Sequence, residues 1–278
     1  VGAVDAITSG NYNVGVGLNA GTAITSGSQN CLLGPSAGGA ITTGGTNVAI
    51  GGFALDALST GSNNIAIGGE ALGAATTTNT CVAVGHCAGQ VITTGSNNAI
   101  LGAFALDAGT TAASNTAVGY SAMGNATTST NNVAIGYEAM QGNTTTSNNT
   151  AVGFSALRAQ TGGSHTVAIG KHAHSIGTTG TYNVAVGNEA LYSCNGNYMT
   201  AVGNMAFRSN TSGANNCGLG HHAGYANTTG YNHIAIGWQA LKANTTGVQN
   251  IAIGYNSLGV CTTGGTNVAI GNLSCEYL

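Results

Sequence analysis

Charge is nearly missing from this chain. Arg158, Lys171, Arg208 and Lys242 face Asp5, Asp56, Asp107, Glu70, Glu138, Glu189 and Glu276, only 4 % of 278 residues. With a net charge of −3 there is no basic patch of the kind a phosphate backbone requires, so nucleic acid is not an expected partner. No apolar run approaches the roughly 18 residues of a membrane-spanning helix, so membrane insertion is not expected either. Proline occurs once, at Pro35, and helix is excluded for another reason: no i, i+3, i+4 pattern survives the 47 glycines and the many threonines. Disorder is excluded by composition, since 42 % of residues are hydrophobic and disordered chains combine low hydrophobicity with high charge.

The seven cysteines, Cys31, Cys81, Cys87, Cys194, Cys217, Cys261 and Cys275, share no spacing. Those at equivalent positions of the repeat lie several coils apart, beyond the roughly 5.5 Å a disulfide spans. They read as buried free thiols, which favour assembly in a reducing compartment. The chain starts at Val1 with no leader pattern, and reads as a processed product, an excised fragment or an incomplete read.

What is present is one unit written over and over. Glycine recurs at positions 17, 34, 51, 68, 85, 102, 119, 136, 153, 170, 187, 203, 220, 237, 254 and 271, every 17 residues except for the 16 between Gly187 and Gly203. A period this strict predicts a solenoid whose coils touch only their neighbours, so residues 1–278 are expected to form a single repeat-array domain. Positions are numbered below from each glycine as zero.

Position −1 is Val, Ile or Leu in all sixteen coils, −3 is mostly Val or Ile, and −2 is Ala in twelve. This alternation predicts a short strand with −3 and −1 on one face and −2 on the other. The alanines, including Ala49, Ala66, Ala117, Ala134, Ala151 and Ala252, are expected to face outward as a flat strip that buries itself against another copy. Position +3 is Ala in fourteen coils and +4 is usually large and apolar, as at Leu55, Met140 and Leu241. Where +4 is Gly21, Gly38 or Gly89, an Ile appears at +7, which restores the inward volume that close packing demands; Gly224 has no such partner. Asn fills −4 in twelve coils and Thr fills +8 in thirteen of fifteen, which predicts an asparagine ladder at one corner and Thr-Thr-Gly turns at another. The fold expected is therefore all-β, a parallel β-solenoid of about sixteen 17-residue coils. At roughly 4.8 Å per coil it would be a rod on the order of 75–80 Å long.

The units "NNVAIGYEAMQGNTTTS", "NNTAVGFSALRAQTGG" and "QNIAIGYNSLGVCTTGG" resemble the head repeats of YadA-like trimeric autotransporter adhesins. Similar arrays occur in phage and viral tail-fibre proteins. The resemblance implies a left-handed β-roll, three chains to a bundle, in an extracellular fibre, on a virion or at a cell surface. The period here is longer than the adhesin repeat of roughly 14 residues, and no stalk or anchor is present. These departures favour a tail-fibre-like component.

The chemistry in the chain is sparse. Position +1 carries Tyr120, Tyr137 and Phe154 in consecutive coils, then Trp238 and Tyr255, rows that either brace an oligomer or stack on the sugar rings of a host glycan. His172 and His174 form an H-x-H that, repeated in three chains, would supply six imidazoles to one metal ion. Glu70, Glu138 and Glu189 share +2 but are coils apart, too distant for an acid/base pair, and no nucleophile motif is present. The glycines serve backbone geometry and are not phosphate loops. No cofactor is expected. The chain reads as a non-enzymatic structural and adhesive fibre module, a shaft or head that self-associates and attaches to a surface glycan or receptor. The alternatives are a filament subunit stacked end to end, since both termini cut through the repeat without a capping unit, an autotransporter adhesin head, and an ice-binding solenoid.

Overall fold

A computed structural model of the chain describes residues 2–275; Val1, Glu276, Tyr277 and Leu278 lie outside the described residues. It is an all-β parallel solenoid with sixteen three-residue strands, about 17 residues apart, and no helix among the described residues. By internal contacts the chain falls into two compact units, 1–145 and 146–278. The first holds β1 (Val14–Val16) through β8 (Val133–Ile135) and the second β9 (Thr150–Val152) through β16 (Val268–Ile270).

Within each unit every strand pairs in parallel with the next, in register. Val14 lies beside Cys31, Cys31 beside Val48, and Val48 beside Ile65; in the second unit Val167 lies beside Val184 and Ile251 beside Val268. Each coil therefore places every position directly over its counterpart. The corner glycine makes this possible. Its φ falls between 128° and 141° at all sixteen positions, and a Cβ on Gly51 would sit 2.6 Å from the carbonyl of Gly68 in the next coil. Only glycine satisfies both the angle and the approach.

Side-chain sidedness on the strand is the reverse of the sequence expectation. The −2 residues are inside: Ala49, Ala66, Ala117, Ala134, Ala151 and Ala252 are all fully buried. The −3 and −1 residues face out, as the exposed Val14, Val16, Ile65, Ile67 and Ile135 show. The cause is the thinness of the coil. Position −2 shares one small volume with +4, so Ala is selected there for size rather than for stickiness. Where −2 is large, the opposing site gives way. Gly38 lies where a Cβ would meet Leu32 Cδ2 at 2.8 Å, and Gly89 where one would meet Ile100 Cδ1 at 2.8 Å. The substitution of +7 for +4 holds as expected, with Ile24, Ile41 and Ile92 fully buried.

Gly224 obeys the same rule. The ring of Phe207, one coil earlier, is the largest fully buried side chain. A Cβ on Gly224 would lie 2.4 Å from its Cε1, and one on Gly218 2.6 Å from its Cε2. Two glycines in one coil thus make room for one phenyl ring in the coil before it.

The polar corners are ladders, as the repeat predicts. Asn30 Oδ1 accepts from the backbone N–H of Asn47 (3.1 Å) and from its Nδ2 (3.0 Å), and Asn47 repeats this toward Asn64. Each Nδ2 also donates to a carbonyl of the following corner, such as Gly61 O at 3.0 Å from Asn47. A buried amide that would otherwise be costly is thereby satisfied. Threonine hydroxyls at +8 donate to the backbone carbonyl of the next coil's +8 residue, from Thr25 to Thr42 and from Thr228 to Thr245. The 16-residue coil is repaired at this ladder by a side chain. Asn195 Oδ1 accepts from the amides of Thr178 (2.7 Å) and Thr179 (3.2 Å), standing in for the backbone carbonyl that serves elsewhere.

Of the cysteines, all free, Cys81, Cys87, Cys194 and Cys261 are buried as expected, but Cys31 and Cys275 are exposed and Cys217 is half-buried. Cys31 and Cys217 occupy −3, and their exposure follows from the reversed strand face.

Candidate functional site

Three surfaces and one buried residue carry the chemistry. The strand face is aliphatic and uncharged: no Asp, Glu, Lys or Arg occupies −3 or −1 in any coil. In the first unit Val14, Val16, Leu33, Ile65, Ile67, Val82, Leu101 and Ile135 are exposed, from 36 % at Ile67 to 55 % at Val14. In the second, Ile169, Leu219, Ile234, Val268 and Ile270 continue the pattern. The expected self-association strip of alanines is therefore not available, because those side chains lie in the core.

Beside this face run aromatic rows. Tyr120 and Tyr137 are exposed and stack with centroids 5.4 Å apart at 11°; Trp238 and Tyr255 do the same at 4.7 Å and 8°. Phe154 meets His172 edge-on at 5.2 Å. Stacking along the coil axis turns the ring faces of the tyrosine and tryptophan pairs toward each other and leaves edges and hydroxyl tips to solvent. A sugar ring that needs an aromatic face finds it only at the end of such a row. The structure extends the +1 row upstream through Phe104 to His86. It also shows a second row at −5, His165, Tyr182 and Tyr198, with neighbouring centroids 4.9 and 5.4 Å apart. Sequence reasoning missed Phe104, at +2, and the −5 row because it examined +1 alone, and His86, at +1, because it left histidine out of the aromatics; tabulating every ring at every position of the repeat would have found them.

The H-x-H does not converge. His172 lies half-exposed against Phe154 and Tyr192, whereas His174 occupies the inward +4 site and is fully buried. Position +2 points out and +4 points in, so the two imidazoles cannot share an ion, and His174 cannot reach another chain. Among the described residues no group of three or more His, Cys, Asp and Glu side chains is arranged to hold a metal. His174 Nε2 lies 3.3 Å from Asn183 Nδ2. Because Asn183 donates, Nε2 accepts and the ring proton sits on Nδ1, which has no partner. Burial holds this imidazole down at about 4, so it is neutral near pH 7.

The remaining surface is a cleft of about 460 Å³ in the first unit, lined by Phe53, Asp56, Glu70, Ala74, Gln90 and Val91. Gln90 Nε2 donates to Glu70 Oε2 across it. Nearby, Cys87 Sγ approaches His86 Nε2 at 3.3 Å, the contact closest to a nucleophile and base. Burial raises the Cys87 thiol, and the charges of Glu70 and Asp107 raise it further. A thiol so placed stays protonated and is not an activated nucleophile. Glu70 and Glu138 stand four coils apart in the first unit and form no acid/base pair; Glu189 lies in the second. No family model, curated protein or solved structure matches the chain.

Proposed function

We propose that this chain is a non-enzymatic structural module that associates laterally with copies of itself through the aliphatic strand face, as the shaft or head of an extracellular or virion fibre. The observation that carries the reading is the exposure of that face. The eight residues of the first unit expose on the order of 500 Å² of apolar surface, at the upper end of the ~300–600 Å² found as the largest patch on ordinary monomers. Half-exposed Val48, Ile50, Val84, Val118 and Val133 extend it toward the ~800 Å² per partner of a standard interface. A regular, uncharged strip of β-branched side chains is costly to leave in water and simple to match with a copy of itself. The resemblance to adhesin heads suggests three copies around such a strip. Attachment to a surface glycan or receptor is the role of the assembled fibre in this reading, with Tyr120, Tyr137, Phe154, Trp238 and Tyr255 on its border.

Sedimentation velocity tests it. Wild type should associate, with a component that persists at high salt. The variant Ile65→Thr, Ile67→Thr, Val82→Thr, Leu101→Thr, which places on the same face a residue that natural coils carry at −3, should lose that salt-resistant component with an unchanged β-type circular dichroism spectrum. A folded wild-type monomer at every concentration would remove the reading.

A further inference from the structure

The eleven charged residues are not scattered over the coil. Asp5, Asp56, Asp107, Arg158, Arg208, Lys242 and Glu276 all fall at +5 of the repeat, Glu70, Glu138 and Glu189 at +2, and Lys171 at +1. Positions +5 and +2 of successive coils meet on one edge: Gln90 reaches Glu70, and Arg208 Nε reaches Glu189 Oε2 at 2.5 Å. The sign of the charges at these positions differs between the units. Residues 1–145 carry five carboxylates and neither lysine nor arginine; residues 146–278 carry four cations and two carboxylates. The units therefore bear −5 and +2, which together give the chain's −3.

We propose that the acidic edge of the first unit is a docking surface for a second copy of the chain, receiving Lys242 at +5 and Lys171 at +1 from the second unit of its partner. The complement to the acidic edge is written in the same chain, which is the reason to choose a second copy over another cation. Within the first unit no cation exists to neutralise Asp56, Glu70 or Asp107. The cleft between Phe53, Asp56, Glu70 and Val91 has the shape a lysine needs, apolar wall for the methylene stem and carboxylates at the end. Burial already lifts the Asp56 and Asp107 carboxyls above the ordinary value, a cost that an arriving ammonium removes. On the other side, Arg208 is committed to Glu189 and lies over the Tyr192 ring at 5.0 Å. Lys171 is exposed, and Lys242 Nζ is held by a single neutral contact, Gln239 Oε1 at 3.3 Å. The contact is independent of the strand face, and neither reading needs the other.

Charge reversal tests it on full-length chain. One variant carries Asp56→Lys, Glu70→Lys and Asp107→Lys; the other carries Lys171→Glu and Lys242→Glu; circular dichroism checks that each folds. Sedimentation velocity on wild type should show, beside any salt-resistant association through the strand face, a component that weakens about tenfold between ~0.05 and ~0.5 M salt. Each reversed chain alone should lose that salt-sensitive component, and an equimolar mixture of the two should regain it. Association indifferent to salt and kept by both reversed chains overturns the proposal and leaves the strand face as the interface. A mixture of folded variants that fails to associate also overturns it. So does a wild type that is monomeric at low salt, a result that needs no variant.

Discussion

His174 places an ionisable ring where every neighbouring coil has a hydrocarbon, a methionine sulfur or nothing, and acid should find it. Its value is about 4 in the folded chain against about 6.5 unfolded. Between those two values the unfolded chain binds the proton and the folded chain does not, so stability must fall as pH drops through about 6.5 and stop falling below about 4. The loss is about 2 kcal/mol at pH 5 and about 3 kcal/mol at pH 4, relative to neutral pH. Other groups titrate in the same window: His233 is also lowered by burial and adds with the same sign, while the raised Asp56 and Asp107 act in the opposite sense. The substitution His174→Leu isolates the one ring, because Leu is what +4 carries in the coils of Leu157 and Leu191 on either side. It also removes the unpartnered Nδ1, which should stabilise the chain by about 1–3 kcal/mol at pH 7. Urea unfolding of both proteins at pH 7 and pH 5 is the assay. The gap between them should widen by about 2 kcal/mol at the lower pH. An unchanged gap, or a His174 resonance titrating near its free value, would refute the buried assignment.

Two further perturbations follow from the coil interior and the corner. Gly218→Ala should cost about 1–3 kcal/mol by overlap with the Phe207 ring, yet little in a Phe207→Leu background, where −2 Ala facing +4 Leu is the ordinary pairing; urea midpoints of the four chains give the coupling. Asn47→Ala removes the acceptor for the Asn64 amide and the Nδ2 bonds to Asn30 and Gly61, for a loss of about 3 kcal/mol, with hydrogen exchange fastest at Asn64. Conversely Cys81→Asn should add about 1 kcal/mol, since Cys81 interrupts the ladder and offers Asn98 Nδ2 only a sulfur at 4.0 Å.

Most of the fold was legible because a repeat restates its own rules. The glycine period located every strand, the Asn at −4 located the buried ladder, and the Ile at +7 of the Gly21, Gly38 and Gly89 coils revealed how inward volume is shared. Sidedness was misread for a physical reason. Alternation divides a strand into two faces but does not say which is inside, and hydrophobicity assigned the larger residues inward by habit. In a coil this thin the interior is limited by volume, and the smaller residue belongs there. The signal that settles it lies in the exceptions. Leu32 opposes Gly38, Ile100 opposes Gly89, and Phe207 opposes Gly218: in each pair one of −2 and +4 grows and the other shrinks, as two positions sharing one space would do. No such exchange links −2 with any outward position. The same logic explains why the candidate surfaces were only half visible. The aromatic row at +1 announced itself by residue type, whereas the charged edge at +5 and +2 emerges only when sparse residues from distant coils are laid over one another. With so few charges in the chain, the placing of ten of the eleven at +5 and +2 is then the observation that most constrains what this surface can bind.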